Sequence, residues 1–281
     1  MPIVATLFLV VGRSESFHLP VISAKSASSS TRNQVPIAPP LFPSLRTRSL
    51  GSAESAVALS EAKAVDHTSK VPSRMNEAIH LFFFGDEKGP ICVVGMLAAM
   101  SIGRVQLGGL SEVDAIAFLV PVVFWWIQEH VLHEKFLHSD MDWMGKEIHC
   151  EHHQKPYFHI SIDPAPLMVG WLTAAHLFLR FLVPTPLALS ATLGYATAGL
   201  VYEWAHFIVH TRVKPPNSFW KRVRDNHIKH HLVDDRYWLS FTVPAVDDLF
   251  GTNPSVDDVK REQALAIKKL KLTRKLQPVP H

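Results

Sequence analysis

The sequence is short of cysteine and of net charge, and each shortage excludes a class of protein. Two cysteines in 281 residues cannot form the disulfide framework that holds small secreted domains together. The formal net charge is only +3, and the basic residues are not concentrated in a stripe that could follow a nucleic acid backbone. Neither a disulfide scaffold nor a nucleic-acid-binding protein is expected.

Apolar runs of full membrane-spanning length are also missing, although 47% of the residues are hydrophobic. An isolated transmembrane helix needs about 20 apolar residues. Four shorter apolar blocks occur instead, arranged as two pairs, at 91–103, 115–127, 167–182 and 187–202. Helices that tilt little or extend past the membrane surface could span with blocks of this length. The blocks therefore predict a helical membrane protein, with a soluble all-helical core as the alternative.

The first 74 residues differ in composition from the rest and are predicted to be a targeting leader. Residues 3–11 form an apolar run typical of a signal peptide, although the basic residues that usually precede such a run are missing. Residues 14–74 are rich in Ser, Ala, Pro and Arg, hold four acidic residues and show no periodicity. This arrangement resembles the two-part plastid presequence of algae with complex plastids. A disordered tail on an endoplasmic-reticulum protein is the alternative.

Histidine is the residue that the sequence has in excess. Of its 17 histidines, 13 lie between His130 and His231. Ten of these form two pairs and two triplets: His133 and His138; His149, His152 and His153; His206 and His210; and His227, His230 and His231. Each pair follows an apolar block, and each triplet follows a pair. The unit recurs after about 75 residues, which predicts two similar helical halves that face one site.

The spacing of these histidines is typical of metal ligands on helices. His206 and His210 lie four residues apart, about 40° around a helix, so one ion can bind both. Adjacent histidines such as His152 and His153 point about 100° apart, so each triplet is expected to serve two ions. His133 and His138, five residues apart, either serve different ions or require a bulge in their helix.

The number of candidate ligands indicates which metal is bound. Ten ligands shared by two ions give five each and leave one octahedral position open. A catalytic zinc ion uses only three protein ligands, whereas iron accepts imidazole at a higher coordination number, with open positions for dioxygen. The paired Glu-x-x-His motifs of carboxylate-bridged di-iron proteins are missing. Two iron ions are predicted, with zinc as an ion that could replace them on isolation.

The remaining histidines have simpler interpretations. A lone histidine is more often a packed core or interface residue than a ligand, which we apply to His18, His67, His80 and His176. His130, one turn before His133, is not excluded as a ligand by its spacing. His159 lies in PYFHISIDPAP and could either support a ligand or face a substrate.

Charged and aromatic residues follow the second triplet. The charged run 234–236 could orient the triplet imidazoles or form surface ion pairs. Tyr237, Trp238 and Phe241 are predicted to pack at the membrane interface rather than bind a substrate.

The motifs HEKFLH, HCEHH, HFIVH and HIKHH, followed by DDRYWLSFTVPAVDDLFGT, resemble the fatty acid hydroxylase superfamily. Its members are histidine-rich, di-metal membrane oxygenases and include fatty acid 2-hydroxylases, sterol desaturases and carotene hydroxylases. The resemblance covers about residues 91–252. It implies that the ten histidines of the pairs and triplets are the metal ligands, whereas His130 matches no ligand position.

The resemblance also implies the fold. We expect an all-α protein, an integral membrane bundle of about four transmembrane helices capped by a helical cytosolic-side domain that carries the di-metal site. Residues 75–255 would form this catalytic domain. The basic tail at 256–281 would contact anionic lipid headgroups or form a solvated amphipathic helix.

The implied activity is oxygen-dependent hydroxylation of an unactivated C–H bond in a lipid, with no catalytic residues beyond the metal ligands. The H-x3-H spacing of His206 and His210 is similar to the fatty acid hydroxylases and favours a fatty acyl substrate. A carotenoid ring hydroxylase or a sterol oxidase is the alternative. A metal-transport protein is disfavoured because transporter ligands lie at mid-span.

The resemblance implies partners as well. The haem-domain motif HPGG, present in some relatives, is missing, so a separate electron donor of the cytochrome b5 or ferredoxin type is expected. The membrane would be that of the endoplasmic reticulum or of a plastid.

Overall fold

The computed structural model describes residues 71–276, with side chains as far as residue 272. Within these residues the chain forms nine α-helices and one π-helical segment, and it contains no β-strand. The predicted leader lies outside the described residues except for its last four positions, so the targeting hypotheses stay predictions. The described part agrees with the expected all-α class.

The helices follow one another with short connections. They are α1 (Met75–Phe84), α2 (Gly89–Gln106), α3 (Glu112–Leu132), α4 (Met144–Gln154), α5 (Ala165–Leu182), α6 (Thr185–Val209), α7 (Ser218–Leu232), α8 (Ala245–Phe250) and α9 (Val256–Leu276). The π-helical segment His133–Leu137 continues α3 without a break. Proline stands in the first turn of α2, α5 and α6, where its missing amide would have no helical partner.

Three helices are long and apolar enough to cross a membrane: Gly89–Gln106, Glu112–Leu137 with its π-helical extension, and Ala165–Leu182. Their outward side chains are apolar; Leu119 is 57% exposed and Phe181 is 87% exposed. Large apolar side chains at such exposure fit contact with lipid better than contact with water. The structure therefore supports an integral membrane protein rather than the soluble core that composition alone allowed.

The fourth predicted span, 187–202, lies in α6, which is the central helix of the bundle. This helix packs against α2, α3 and α5, and most of its side chains are buried. Its Ser, Thr, Gly and Ala residues make it less apolar than the other three helices, while their small size lets the neighbouring backbones approach closely. By length and apolarity the described residues thus contain three candidate spans, compared with about four predicted.

A buried ion pair ties three of these helices together. The Asp114 carboxylate accepts hydrogen bonds from the Arg104 guanidinium at 2.6 and 2.7 Å and from the Ser190 hydroxyl at 2.6 Å. These residues belong to α3, α2 and α6. Because both charges are buried, each needs the other, and the contact sets how the three helices meet at this end of the bundle.

Gly194 marks the closest approach of α6 to α3. A Cβ atom at this position would overlap the backbone carbonyl of Phe118. We expect Gly194→Ala to lower the free energy of unfolding by about 1–3 kcal/mol, because neither helix backbone can yield easily. Gly170→Ala is the control, since a Cβ there meets nothing within 4 Å. Denaturant unfolding in detergent measures both variants, and equal midpoints would contradict the close approach.

Candidate metal centre

The structure brings all ten predicted histidines together in two groups. The first group consists of His133, His138, His149, His153 and His230. The second group consists of His152, His206, His210 and His227, joined by His231. The Nε2 atom of His231 lies 3.0 Å from that of His152 and 3.1 Å from that of His227.

Each half of the chain contributes four imidazoles to one group and one imidazole to the other. On α4, His149 and His153 are four residues apart and face the first group, while His152 faces the second. On α7 the arrangement is reversed, and His230 alone crosses to the first group. Adjacent side chains diverge by about 100° on a helix, so each triplet reaches both groups, as its spacing predicts.

A π-helical turn brings the two histidines of the first pair, which are five residues apart, onto one face of the helix. The His138 amide donates to the His133 carbonyl at 3.3 Å, which is the i to i+5 hydrogen bond of a π-helix. The extra residue returns His138 to the face of His133, with ring centroids 5.1 Å apart. Of the two explanations that the spacing allowed, the structure adopts the bulge, and both rings join the first group.

The close contacts within each group are between Nε2 atoms. In the first group, the Nε2 atom of His149 lies 3.2, 3.0 and 3.0 Å from those of His133, His138 and His153. In the second group, the Nε2 atom of His152 lies 3.0 Å from that of His206, and the Nε2 atoms of His210 and His227 are 2.8 Å apart. The same ring atom of every imidazole therefore points to the centre of its group.

In three of the rings, a backbone carbonyl accepts a hydrogen bond from Nδ1, the nitrogen that faces away from the group. From Nδ1, His133 donates to Leu239 at 2.7 Å, His210 to Tyr157 at 2.6 Å and His230 to Tyr237 at 2.9 Å. A carbonyl can only accept, so the proton of each ring is on Nδ1 and the Nε2 lone pair faces the group. Histidines that bind metals are held in this way.

The donor set fits two metal ions of high coordination number. Lone pairs that face one another at 2.8–3.2 Å repel unless a cation lies between them. Two nitrogens bound to one ion at about 2.1 Å lie about 3.0 Å apart at a right angle and about 3.4 Å apart at the tetrahedral angle. The observed separations are therefore short enough for the nitrogens of each group to bind one ion.

Burial keeps these imidazoles neutral. Desolvation, strengthened by neighbouring imidazoles, lowers the pKa of His153 to about 4 and that of His210 to about 3. The same causes hold the pKa of His230 well below its ordinary value. At neutral pH the Nε2 atoms are therefore available to a metal without the loss of a proton.

We expect the protein stripped of metal to lose stability as the pH falls below about 6.5, the ordinary pKa of histidine. Because the folded pKa values lie lower, the unfolded chain binds more protons in acid. The stability is fully present above about pH 6.5 and declines towards the folded values, about 4 for His153 and about 3 for His210. Unfolding midpoints between pH 8 and pH 4, with and without added metal, measure the effect, and a flat profile for the stripped protein would contradict it.

Two residues near the ligands take supporting positions. The Nε2 atom of His159 lies 2.8 Å from Nδ1 of His152, while its own Nδ1 atom lies 2.7 Å from the Pro156 carbonyl. The sequence allowed His159 either to support a ligand or to face a substrate. Its contact with His152 favours the supporting role. Asp235 lies 3.7 Å from Nδ1 of His138. The other two residues of the charged run, Asp234 and Arg236, form an ion pair with each other, with 2.9 Å between the carboxylate and the guanidinium.

The prediction that Trp238 and Phe241 pack at the membrane interface is wrong. Both are fully buried, and the Phe241 ring lies 4.7 Å from that of His227 and 5.3 Å from that of His206. Trp238 has a φ of 56°, a left-handed conformation that is unfavourable for a bulky side chain. The carbonyls on either side of it hold His133 and His230, so the strained turn aims both carbonyls at the first group.

His130 and Asp247 form a separate network. The Nδ1 atom of His130 lies 2.7 Å from the Ser240 hydroxyl, and its ring stacks on Phe250 with centroids 4.2 Å apart. Asp247 is buried and accepts hydrogen bonds from the Leu239 and Ser240 amides at 3.0 and 3.1 Å. The network holds in place the backbone segment around Leu239, whose carbonyl orients His133. Asp247 was not identified from the sequence, where nothing distinguishes it from its exposed neighbour.

An open cavity leads from the membrane helices to the histidine groups. Its wall is mostly apolar, and its inner end reaches His149, His152 and His206. Three carboxyl side chains also line it: Glu129, Asp163 and Glu203. Sequence reasoning missed them, although Glu129 and Glu203 follow the second and fourth apolar blocks, one turn before each histidine pair, and this signal could have found both.

Comparison with known proteins agrees with this geometry. The fatty acid hydroxylase family model matches residues 118–252. A solved structure of full-length scs7p, in which only the hydroxylase domain is visible, superposes with a TM-score of 0.50 at 19% identity. The match covers 60% of this chain and 66% of that chain. At this identity the likeness bears on the fold alone.

Several characterised proteins are similar in sequence. The dihydroceramide fatty acyl 2-hydroxylase of Arabidopsis thaliana is 25% identical over 58% of this chain and 71% of its own length. The ceramide very long chain fatty acid hydroxylase of Saccharomyces cerevisiae is 29% identical over 53% of this chain and 41% of its own length. The fatty acid 2-hydroxylase of Mus musculus is 20% identical, and the match covers 48% of this chain and 38% of the mouse protein.

Proposed function

Since the fatty acid hydroxylase family model matches residues 118–252 and the similar proteins are fatty acid hydroxylases, we propose that this chain is a member of that superfamily, a membrane-bound di-iron oxygenase that hydroxylates an unactivated C–H bond of a fatty acyl chain. One observation carries the proposal: an apolar cavity that begins among the membrane helices ends at two groups of five imidazoles. The catalytic domain would be residues 75–255. The proposed ligands are His133, His138, His149, His153 and His230 for one ion, and His152, His206, His210, His227 and His231 for the other.

The protein supplies position and shielding to the reaction. When bound, two ferrous ions would supply the reduction of dioxygen and the oxidising power for the C–H bond. The outer carbonyls keep the imidazole rings in place, so both groups are preorganised. The apolar wall excludes water from the site, and it aligns the lipid so that one carbon faces the metals.

The shape of the cavity suits a long, flexible chain. Along α6 its wall runs from Tyr195 and Ala196 through Leu200 to His206. Ala196 and His206 are ten residues apart, which is about 15 Å along a helix. An unbranched acyl chain can fill such a passage from the bilayer side, and the similar proteins from plant, yeast and mouse are all named as hydroxylases of fatty acids or fatty acyl groups.

Electrons would come from a separate donor of the cytochrome b5 or ferredoxin type, in the membrane of the endoplasmic reticulum or of a plastid. Purified protein produced with iron is expected to hold about two iron atoms per chain, in line with two groups of ligands. Zinc could replace iron on isolation, but it would not support oxygen uptake, because it has no accessible redox change.

The proposal is tested by expressing the chain in a host with the redox partner and feeding acyl lipids, carotenoids and sterols to the same membranes. An acyl product heavier by one oxygen atom, formed only with dioxygen and reductant, is the expected result. A hydroxylated carotenoid ring or an oxidised sterol beside untouched acyl chains would assign the substrate to the alternative class. A single metal per chain would contradict the di-iron site.

A further inference from the structure

A row of tyrosine and tryptophan rings leads away from the second histidine group. The Tyr202 ring stacks on that of His206, with centroids 6.3 Å apart, and lies 5.8 Å from the Trp125 ring. The Trp125 ring lies 4.7 Å from that of Tyr195. The Tyr195 hydroxyl accepts a hydrogen bond from Nε1 of Trp171 at 2.8 Å. We call these four side chains, Tyr202, Trp125, Tyr195 and Trp171, the aromatic row.

The two ends of the aromatic row lie in different surroundings. Its inner end, Tyr202, stands one helical turn before the proposed ligand His206. Its outer end, Trp171, belongs to the candidate membrane span Ala165–Leu182 and is 38% exposed. The row therefore connects the proposed metal centre with the lipid-facing side of the bundle.

Packing alone does not account for the residue types in the row. Nε1 of Trp125 is buried and has no hydrogen-bond partner among the described residues. Leaving such an atom unpaired costs about 1–3 kcal/mol, and a phenylalanine ring would avoid this cost. Gly199 makes room for the indole, since an added Cβ there would lie 3.1 Å from it. The indole thus has a use beyond filling space.

Other aromatic contacts near the site show the contrast. On another side of α6, Phe82 packs on Trp204 and Phe207, with centroids 5.1 and 5.4 Å apart. Phe241 lies 5.3 Å from the His206 ring and 5.2 Å from the Tyr202 ring. A phenylalanine ring is far harder to oxidise than an indole or a phenol. Phenylalanine fills space beside the row, whereas every member of the row can give up an electron.

We propose that the aromatic row is an electron path that returns the metal centre to its resting state when no lipid carbon is within reach. The inference rests on the proposed function, because that function supplies the oxidant, an oxidised di-iron centre. The reductant would be a phenol or hydroquinone dissolved in the bilayer, where Trp171 is exposed. The path would protect the imidazoles and the cavity wall from oxidation.

The transfer balances in electrons and protons. Tyr202 gives one electron to the oxidised centre and its phenol proton to a nearby carboxylate, and becomes a neutral radical. Trp125 returns an electron to Tyr202, which takes back its proton. An electron from Trp171, passing through Tyr195, then restores Trp125. The hydroquinone reduces the Trp171 radical cation and releases a proton to the membrane surface, so one electron moves from the hydroquinone to the centre.

A proton acceptor is present at the inner end of the row only. Asp163 and Glu203 interact electrostatically with the Tyr202 hydroxyl. Burial raises the pKa of Asp163 to about 6, so this carboxyl group is mainly ionised at neutral pH and can accept a proton. Both hydrogen-bond partners of the Tyr195 hydroxyl, Gln128 and Trp171, are donors. A stable tyrosyl radical is therefore expected at Tyr202 rather than at Tyr195.

Flash photolysis of the zinc-loaded full chain in detergent tests the path without turnover. A lipophilic ruthenium polypyridyl, oxidised by a flash and a quencher, removes an electron from the exposed Trp171. Transient absorption then distinguishes tryptophan radicals from tyrosyl radicals. We expect the tryptophan signal to decay into a tyrosyl signal that is lost in Tyr202→Phe, because only this phenol has a proton acceptor. Trp125→Phe interrupts the row and should abolish the same signal.

Two matched variants serve as controls. Tyr157 lies near the second group, 4.8 Å from the His210 ring, but its other neighbour is Phe158 at 5.3 Å. Trp126 is adjacent to Trp125 but does not line the cavity. Tyr157→Phe and Trp126→Phe should both leave the Tyr202 signal unchanged. Zinc content confirms that all four variants are folded.

The iron-loaded protein provides a second measurement. After exposure to dioxygen and reductant without lipid, with catalase present, peptide mass spectrometry should locate added oxygen on Trp171. In Trp125→Phe this oxidation should be lost from Trp171 and appear on Tyr202. Metal-free protein should show neither product.

The outcomes separate the electron path from the proposed function. A wild-type protein without the Tyr202 signal, or a signal that survives Trp125→Phe, would overturn the path, and hydroxylation of acyl lipids would still support the function. Loss of the signal in both variants without any hydroxylated lipid from the iron-loaded protein would support the path and contradict the function.

Discussion

Replacing His230 with alanine should empty the metal position of the first group and reduce hydroxylation at least 100-fold, although His230 belongs to the second half of the chain. The other four imidazoles of that group all come from the first half. Loss of a directly bound ligand removes both affinity and geometry, and even indirect partners of a metal change affinity about 10–100-fold. Iron content is expected to fall from about two per chain to about one.

The control for this experiment is His176→Ala. His176 lies on α5, where its Nδ1 atom is 2.8 Å from the Thr192 hydroxyl, outside both groups. This variant should keep both metals and most of the activity. His152→Ala provides the mirror experiment, since it should empty the second group instead. The ligand assignment is wrong if His176→Ala proves as inactive as His230→Ala, or if His230→Ala retains two tightly bound ions.

Replacing Ala196 with phenylalanine should stop long acyl chains from reacting while short chains continue to react. Ala196 is buried on the cavity wall, about 15 Å along α6 from His206. The larger ring would block the passage at that distance from the metals. We expect the kcat/KM of chains that extend past this point to fall at least 100-fold, which corresponds to about 2.7 kcal/mol of lost transition-state stabilisation. Chains that end before it should change little.

A series of acyl chains of increasing length, assayed with one head group, measures this profile. Val201→Phe is the matched control, because Val201 lies on the same helix but is not part of the cavity wall. It should leave the length preference unchanged. Metal content confirms that both variants are folded. A uniform loss of activity at every length would show that Ala196 does not border the path of the chain.

Helix periodicity is local, which is why much of the histidine arrangement could be predicted from spacing. Positions four apart share a face and adjacent positions diverge, whatever the rest of the fold does. The first pair shows the limit. A five-residue interval fits either a straight helix with ligands for two ions or a bulged helix with ligands for one, and the spacing alone does not decide between them. The structure shows the bulge as a π-helical turn.

Contacts between distant parts of the chain could not be predicted in this way. Glu129 meets the Thr242 amide across 113 positions of sequence, and no local pattern records such a pairing. The left-handed turn at Trp238 is also invisible, since its sequence lacks the glycine that usually marks one. The position of α6 in the bundle could not be predicted either, because composition does not distinguish a helix buried among other helices from one that faces lipid. Its side chains are apolar or small, but burial against other helices, rather than contact with lipid, accounts for most of them.

The exchange of His152 and His230 between the two groups has a consequence for how the protein is made. With ions bound as proposed, neither group is complete until both halves of the chain are present, since His230 of the first group lies 77 residues after His153. A ribosome must therefore synthesise the second half of the site as well before the earlier set of imidazoles can close around its ion. Metal insertion would follow synthesis and membrane integration, and a truncated chain could not retain a fully coordinated metal at either position.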